Sequence, residues 1–222
     1  MNEIQKVKVL AVRHLTDQTF VLRLERDGFE FEPGQCVNLG IPGEGVNREY
    51  STYSSVNEPD FLEFLIRKVP GGLVSEKLQL LKAGDEVTLD GAYGLFVLKN
   101  PDDLSLRYRF IATGTGIAPF HSFVKSYPDL NYQILHGIRL VSEEYDRKDY
   151  GEGHYIACVS QEQVETGSGN FHGRVTDYLK KDPVEPKNIF YLCGNNSMIN
   201  EVYDILRDQK VSGSNIFTEV FF

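Results

Sequence analysis

The chain changes character at "RFIATGTGIAPF", residues 109–120. A strand-like run ends there in alternating small residues, and Pro119 suits the first turn of a following helix. Gly114 and Gly116 allow the backbone to approach a ligand closely. Strand, small-residue turn and helix together describe a site for a dinucleotide diphosphate, although the G-x-G-x-x-G fingerprint is absent. Beyond this point "NYQILHG", "YIACVS", "IFYLCG" and "IFTEVFF" read as strands, with helix-length segments between several of them. The clearest helix is "SMINEVYDILRDQ", where Met198, Val202 and Ile205 recur at helical spacing. Strands alternating with helices imply a parallel sheet, with its ligand crevice at the carboxyl ends of the strands.

Before this point the rhythm is different. "VKVLAVRHL", "FVLRLE", "CVNLGI", "YSTYSS", "FLEFLIRKV" and "EVTLDG" are short, rich in branched and aromatic residues, and separated by turn clusters. Six such strands predict a small antiparallel barrel. One helix, "LVSEKLQLL", is expected after Gly71-Gly72. "LKNPDD", residues 98–103, breaks the pattern, so the expected division is a β-barrel domain over 1–100 and an α/β domain over 101–222.

Composition narrows the function. The 222 residues are 41% hydrophobic and 25% charged, as in a folded globular chain. The net charge of −9 argues against a nucleic-acid surface. No apolar run is long enough to span a bilayer and "MNEIQKVKVL" has no apolar signal core, so a cytoplasmic protein without membrane partners is expected. Cys36, Cys158 and Cys193 are too few for a four-thiolate cluster and too scattered for a disulfide framework. The five histidines lack metal-ligand spacing, so no metal is expected.

Two other stretches carry chemistry. In "NREYSTYSSV", residues 47–56, strand alternation puts Arg48 and Tyr50 on one face, with Ser51 beside them. An edge strand with a solvated face would look like this, and so would a site for a flat aromatic cofactor carrying phosphate. In "PGGLVSEKL", residues 70–78, Gly72 precedes a helix start whose backbone N–H groups would attract phosphate, although P-G-G is also an ordinary turn.

Taken in order, Arg48-x-Tyr50-Ser51, Gly71-Gly72-Leu73-Val74-Ser75, "GTGIAPF", "CVSQE" and "YLCGN" resemble the successive motifs of the ferredoxin–NADP reductase superfamily, over residues 4–222. The resemblance implies that Arg48 pairs with a flavin pyrophosphate, that Tyr50 packs on the flavin ring and that Ser51 hydrogen-bonds near N5. The turn of Gly72, Leu73, Val74 and Ser75 would cradle the same pyrophosphate. Two phosphate contacts point to FAD, with FMN the alternative. Gly114, Thr115 and Gly116 would lie under the NAD(P)H pyrophosphate. Cys193, followed by Gly194, would sit beside the nicotinamide in a positioning role, and Ser51, Cys193 and Glu219 form the implied catalytic set. Plant-type members end in Glu-Val-Tyr, where this chain has Glu219-Val220-Phe221-Phe222. Phe221 is the direct match for the stacking ring, although a terminal strand with buried phenylalanines is an equal alternative. Where NADPH-preferring members carry Ser-Arg, this chain has Ser160-Gln161. Arg174 and Arg139 supply cations for a 2′-phosphate unless they are ordinary solvated charge, so the expectation leans to NADPH. The implied function is a flavin-dependent NAD(P)H reductase serving a separate carrier, ferredoxin or flavodoxin. The alternatives are a free-flavin or small-acceptor reductase, and a non-catalytic nucleotide-binding electron-relay subunit.

Overall fold

The computed structural model describes residues 4–165 and 169–221. The elements, in chain order, are β1 (Gln5–His14), β2 (Thr19–Glu25), β3 (Cys36–Gly40), β4 (Asn47–Ser51), β5 (Phe61–Arg67), α1 (Ser75–Leu78) and β6 (Glu86–Tyr93). They continue with β7 (Tyr108–Thr113), α2 (Ala118–Ser126), β8 (Tyr132–Ile138), β9 (Tyr155–Val159), β10 (Asn170–His172), α3 (Val175–Lys181), β11 (Ile189–Gly194), α4 (Asn196–Asp208) and β12 (Ile216–Val220). The chain divides into two compact units. One takes in the chain up to Lys99 together with Ala118–Ser126; the other takes in Asn100–Ile117 and the chain from Tyr127 onward.

The first unit is a six-stranded antiparallel sheet in the order β4-β3-β6-β1-β2-β5. Period-two alternation sends Phe20, Leu22 and Leu24 of β2, Leu62, Phe64 and Ile66 of β5, and Val87 and Leu89 of β6 into one core. Strand β1 pairs with β6 through residues 5–8 and with β2 from Val9 onward, and a register shift between Val9 and Ala11 separates the two ladders. Such an irregularity bends a strand, which curls the sheet. The outer strands meet just past β4, where the Tyr53 N–H donates to the Glu63 carbonyl at 2.7 Å. Phe29, Phe31, Val74 and Leu78 pack against the same core.

Helix α1 is shorter than the expected 73–81. Of that apolar run only Val74 and Leu78, one turn apart, are buried in the core, whereas Leu73 and Leu80 are exposed.

The second unit is a parallel sheet in the order β10-β9-β8-β7-β11-β12. Its central strands are buried along almost their whole length, as sheets covered on both faces are. Helices α3 and α4 cover Ile111, Leu135, Phe190 and Leu192 on one face. The alternate residues Tyr108, Phe110 and Tyr191 form a ring cluster on the other. From β7 the chain builds outward through β8, β9 and β10, and β11 then lies on the opposite side of β7. The switch point of this sheet therefore falls between β7 and β11.

Helix α2 follows β7 in the chain but packs within the first unit. His121 Nδ1 lies 2.7 Å from the Tyr53 carbonyl oxygen, and the two rings stack at 3.8 Å. Ser122 Oγ donates to the Ser54 carbonyl at 2.7 Å, and Ser126 Oγ accepts from the Val56 N–H at 2.9 Å. Replacing His121 by Ala removes a buried hydrogen bond and a stacked ring. We expect His121→Ala to lower stability by ~2–4 kcal/mol, read as a shifted denaturation midpoint with an unchanged slope.

Candidate functional site

The first unit carries the Arg48-Tyr50-Ser51 group on β4, the outer strand beside β3. In register Arg48 faces Leu39, Tyr50 faces Val37 and Ser51 faces Cys36. Arg48 is exposed, donates from Nη1 to the neighbouring Asn47 carbonyl at 2.7 Å, and has no acidic partner among the described residues. Tyr50 is half-buried, and its hydroxyl pKa is pushed up to about 12 by burial, opposed by the Arg48 charge. Ser51 is buried. A guanidinium with no acidic partner beside a half-buried ring suits a ligand that joins an anion to an aromatic system.

The Gly71–Ser75 turn closes on itself in part. The Gly72 N–H donates to the Val69 carbonyl at 2.8 Å, the Gly71 N–H donates to Glu76 Oε1 at 3.0 Å, and Ser75 Oγ accepts from the Val69 N–H at 3.0 Å. The next three N–H groups, of Leu73, Val74 and Ser75, have no acceptor among the described residues. Unsatisfied N–H groups in sequence are the donors that a phosphate accepts from. The four-residue length of α1 leaves little helix dipole, so these local N–H groups carry the attraction.

In the second unit the turns after β7 and β11 meet at the switch point. A methyl group at Gly116 would lie 2.5 Å from the Cys193 carbonyl oxygen, and one at Gly194 would lie 2.3 Å from Thr113 Oγ1. Gly116 is thus required by backbone packing, a separate reason from ligand approach. Thr113 Oγ1 also accepts from the Asn195 N–H at 2.9 Å, and the Asn195 side chain caps α4 through the Ser197 N–H at 2.9 Å. Gly114 sits at φ +53° and opens a 3₁₀ turn, Gly114–Ile117. Its carbonyl is 2.8 Å from Nε2 of His136, a fully buried residue of β8. His136 Nδ1 is 2.7 Å from the Tyr155 hydroxyl.

Cys193 is fully buried, and burial with the charge of Glu219, its register partner on β12, holds its thiol pKa well above the usual range. A protonated thiol cannot act as a nucleophile, in keeping with a positioning role. Glu219 is half-buried, and Phe221, also half-buried, donates its N–H to the Gly194 carbonyl at 2.9 Å. Phe222 lies outside the described residues.

Arg139, Ser160, Gln161 and Arg174 are all exposed. The backbones of the first three are tied to the end of β8: the Ser160 N–H reaches the Ile138 carbonyl and the Gln161 N–H the Arg139 carbonyl, each at 3.0 Å. Neither the Arg139 nor the Arg174 guanidinium has an acidic partner among the described residues. Three carboxylates that the motifs did not single out share this region, among them Asp177, whose Oδ2 accepts from the Arg174 N–H at 3.0 Å. Glu143 Oε2 accepts from the Arg139 N–H at 2.7 Å, and Glu162 Oε2 accepts from the Val141 N–H at 2.9 Å.

Burial lowers the His136 pKa to about 4 from its ordinary 6.5, partly offset by the bond to Gly114. The unfolded chain therefore takes up this proton first as pH falls, and stability is lost between about pH 6.5 and 4. We expect His136→Gln to flatten that part of a stability–pH curve by up to about 3 kcal/mol relative to wild type, measured by denaturant titration.

Residues 7–98 match the oxidoreductase FAD-binding domain model and residues 110–204 the oxidoreductase NAD-binding domain model. The chain is 33% identical over 228 residues to the toluate 1,2-dioxygenase electron transfer component of Pseudomonas putida, covering 95% of this chain and 65% of that protein. It is 33% identical over 218 residues to the flavodoxin/ferredoxin–NADP reductase of Shigella flexneri, covering 87% and 86%. The crystal structure of the Amycolatopsis cytochrome P450 reductase GcoB superposes with a TM-score of 0.86 at 28% identity, over 100% of this chain and 71% of that one. The chain thus spans about two thirds of the oxygenase-type relative and most of the NADP reductase. With both domain models matched in order on a barrel and a parallel sheet, the chain belongs to the ferredoxin–NADP reductase family of flavoprotein oxidoreductases.

Proposed function

We propose that this chain is the catalytic core of an NAD(P)H-oxidising reductase that holds FAD and hands electrons to a separate carrier, ferredoxin or flavodoxin. The observation that carries this is the pairing, within one unit, of an acid-free Arg48 with the three acceptor-less N–H groups of Leu73, Val74 and Ser75. Those groups fit a diphosphate, which favours FAD over FMN. Arg48 would neutralise one side and the turn would donate to the other, while Tyr50 would shield the ring and Ser51 would donate near its reactive nitrogen. When bound, the flavin supplies the two-electron to one-electron conversion. The protein's share is to align the donor, exclude water and keep the Cys193 thiol protonated beside it.

Three scattered cysteines give these residues no four-thiolate set, so a four-thiolate cluster in the acceptor would be held by residues other than these. No helix among the described residues is long and apolar enough to cross a membrane. The 33% identity to an oxygenase electron transfer component favours a second acceptor class, an oxygenase component.

Purified protein is expected to be yellow, with about one FAD per chain. Arg48→Ala should weaken flavin binding by ~1.5–3 kcal/mol in a fluorescence titration, the range for hydrogen bonds to charged groups. Unchanged affinity would remove Arg48 from the site.

Coenzyme choice rests on a balance. Arg139 and Arg174 offer two cations to a 2′-phosphate, whereas neutral Gln161 supplies no third and Glu143 and Glu162 oppose it. We expect a mild NADPH preference in kcat/KM. Gln161→Arg should sharpen it by roughly tenfold to a hundredfold and Arg174→Ala should erode it. A wild-type enzyme strongly selective for NADH would overturn the assignment.

A further inference from the structure

We propose that His136 is a positioning residue for the coenzyme diphosphate: by holding the Gly114 carbonyl it turns the Thr115 N–H outward as a phosphate donor. This rests on the reading of Gly114–Gly116 as the NAD(P)H turn.

The geometry begins with the hydrogen-bond chain. The Gly114 carbonyl can only accept, so the nitrogen 2.8 Å from it, Nε2, carries the imidazole proton. Nδ1 is then an acceptor, and the Tyr155 hydroxyl at 2.7 Å supplies its proton. Tyr155 thereby fixes the tautomer, and His136 fixes the carbonyl. Both side chains are buried, which makes any one of these groups costly to leave unpaired.

The consequence lies in the peptide that joins Gly114 to Thr115. It is trans, so its N–H points opposite to its C=O. With the oxygen directed into the sheet at His136, the Thr115 N–H points away from it. That N–H has no acceptor among the described residues, and Thr115 is half-buried.

A pin is needed here because the peptide is easily turned. Gly114 already sits at φ +53°, a region glycine occupies without penalty, and rotation of its peptide would bring the carbonyl oxygen out in place of the N–H. A diphosphate would then meet a partial negative charge. The other two turn residues are held by different means: Gly116 by its contact with the Cys193 backbone, and Thr113 by the Asn195 N–H. The 114–115 peptide lies in the 3₁₀ turn Gly114–Ile117, and the imidazole is its hydrogen-bond partner outside that turn. Burial keeps that imidazole neutral near pH 7, so it adds no charge that could substitute for the proposed role.

The test compares ligands with and without a diphosphate. We expect His136→Phe to weaken NADP⁺ binding about tenfold in calorimetric titration, the loss expected for one hydrogen bond. Binding of 2′-AMP, which lacks the diphosphate, should change less than twofold, and flavin content should be unchanged. His136→Gln, which keeps a donor, should recover most of the NADP⁺ affinity. Equal losses for both ligands, or none for either, would overturn the proposal. Should His136→Phe fail to fold, long-range ¹⁵N–¹H correlation spectra of the wild-type holoenzyme decide: protonated Nε2 supports the pin, and protonated Nδ1 overturns it. Tyr155→Phe provides the matching perturbation, with loss of the single-tautomer signature expected and its persistence counting against the relay. A wild type that binds neither NADP⁺ nor 2′-AMP would instead overturn the coenzyme-turn reading, whatever the tautomer.

Discussion

The second unit depends on how closely β7 and β11 approach at their carboxyl ends. Gly116 lies against the Cys193 carbonyl and Gly194 against Thr113, with no room for a methyl group at either position. Adjacent parallel strands run side by side, but their following turns ordinarily diverge into separate helices. Here two glycines let the turns interlock, and the Thr113 hydroxyl bridges to the Asn195 N–H to complete the joint. The order of the sheet makes this the switch point, the one place where neighbouring connections leave in opposite directions. A ligand at such a point meets backbone from both turns, so the positions of four residues set what it can reach.

A second constraint governs which polar groups remain available. Buried polar groups in this protein are mostly paired, as in the Arg23–Glu63 contact at 2.8 Å on the barrel and the Tyr155–His136–Gly114 chain in the sheet. Against that background the lone N–H groups of Leu73, Val74, Ser75 and Thr115 stand out. All four are in turns, where a missing acceptor is tolerated because solvent or a ligand can supply one. Pairing of most other buried groups is what makes those donors informative; among the described residues Arg109 Nε, Gln133 Oε1 and Asn188 Oδ1 are buried exceptions.

The strands were legible in the sequence because their signal is local. Branched and aromatic residues alternate over a few positions between Gly and Pro clusters, and the six barrel strands and five of the six sheet strands follow from that. Edge strand β10 spans three residues, too few to show a period. Helix α1 is shorter than its sequence pattern suggests: Leu73 and Leu80 fit the helical spacing but are exposed, and only Val74, Leu78 and the partly buried Leu81 pack on the core. The motif residues were legible through their order along the chain. What could not be read was any pairing across elements: His136 with Gly114 is 22 residues apart, and Glu162 with the Val141 N–H is 21. Those bonds exist only because β8 lies between β7 and β9, which no local pattern encodes. The packing of α2 is of the same kind, since its partners Tyr53 and Ser54 lie 68 residues back.

Such long-range bonds explain how two kinds of glycine can be told apart. Gly114 has open space around its α-carbon, so its value is conformational, and a conformationally free residue needs something else to hold it. Gly116 is packed against backbone, so its value is steric; Gly194 combines a φ of +132° with close contact to Thr113, and in both the neighbours that exclude a side chain also hold the residue still. In a sequence all three are the same letter in the same kind of turn. Only the free one calls for a partner outside the turn. A buried imidazole with a single allowed tautomer meets that need more strictly than water could, since water can donate or accept and so would stabilise either orientation of the peptide.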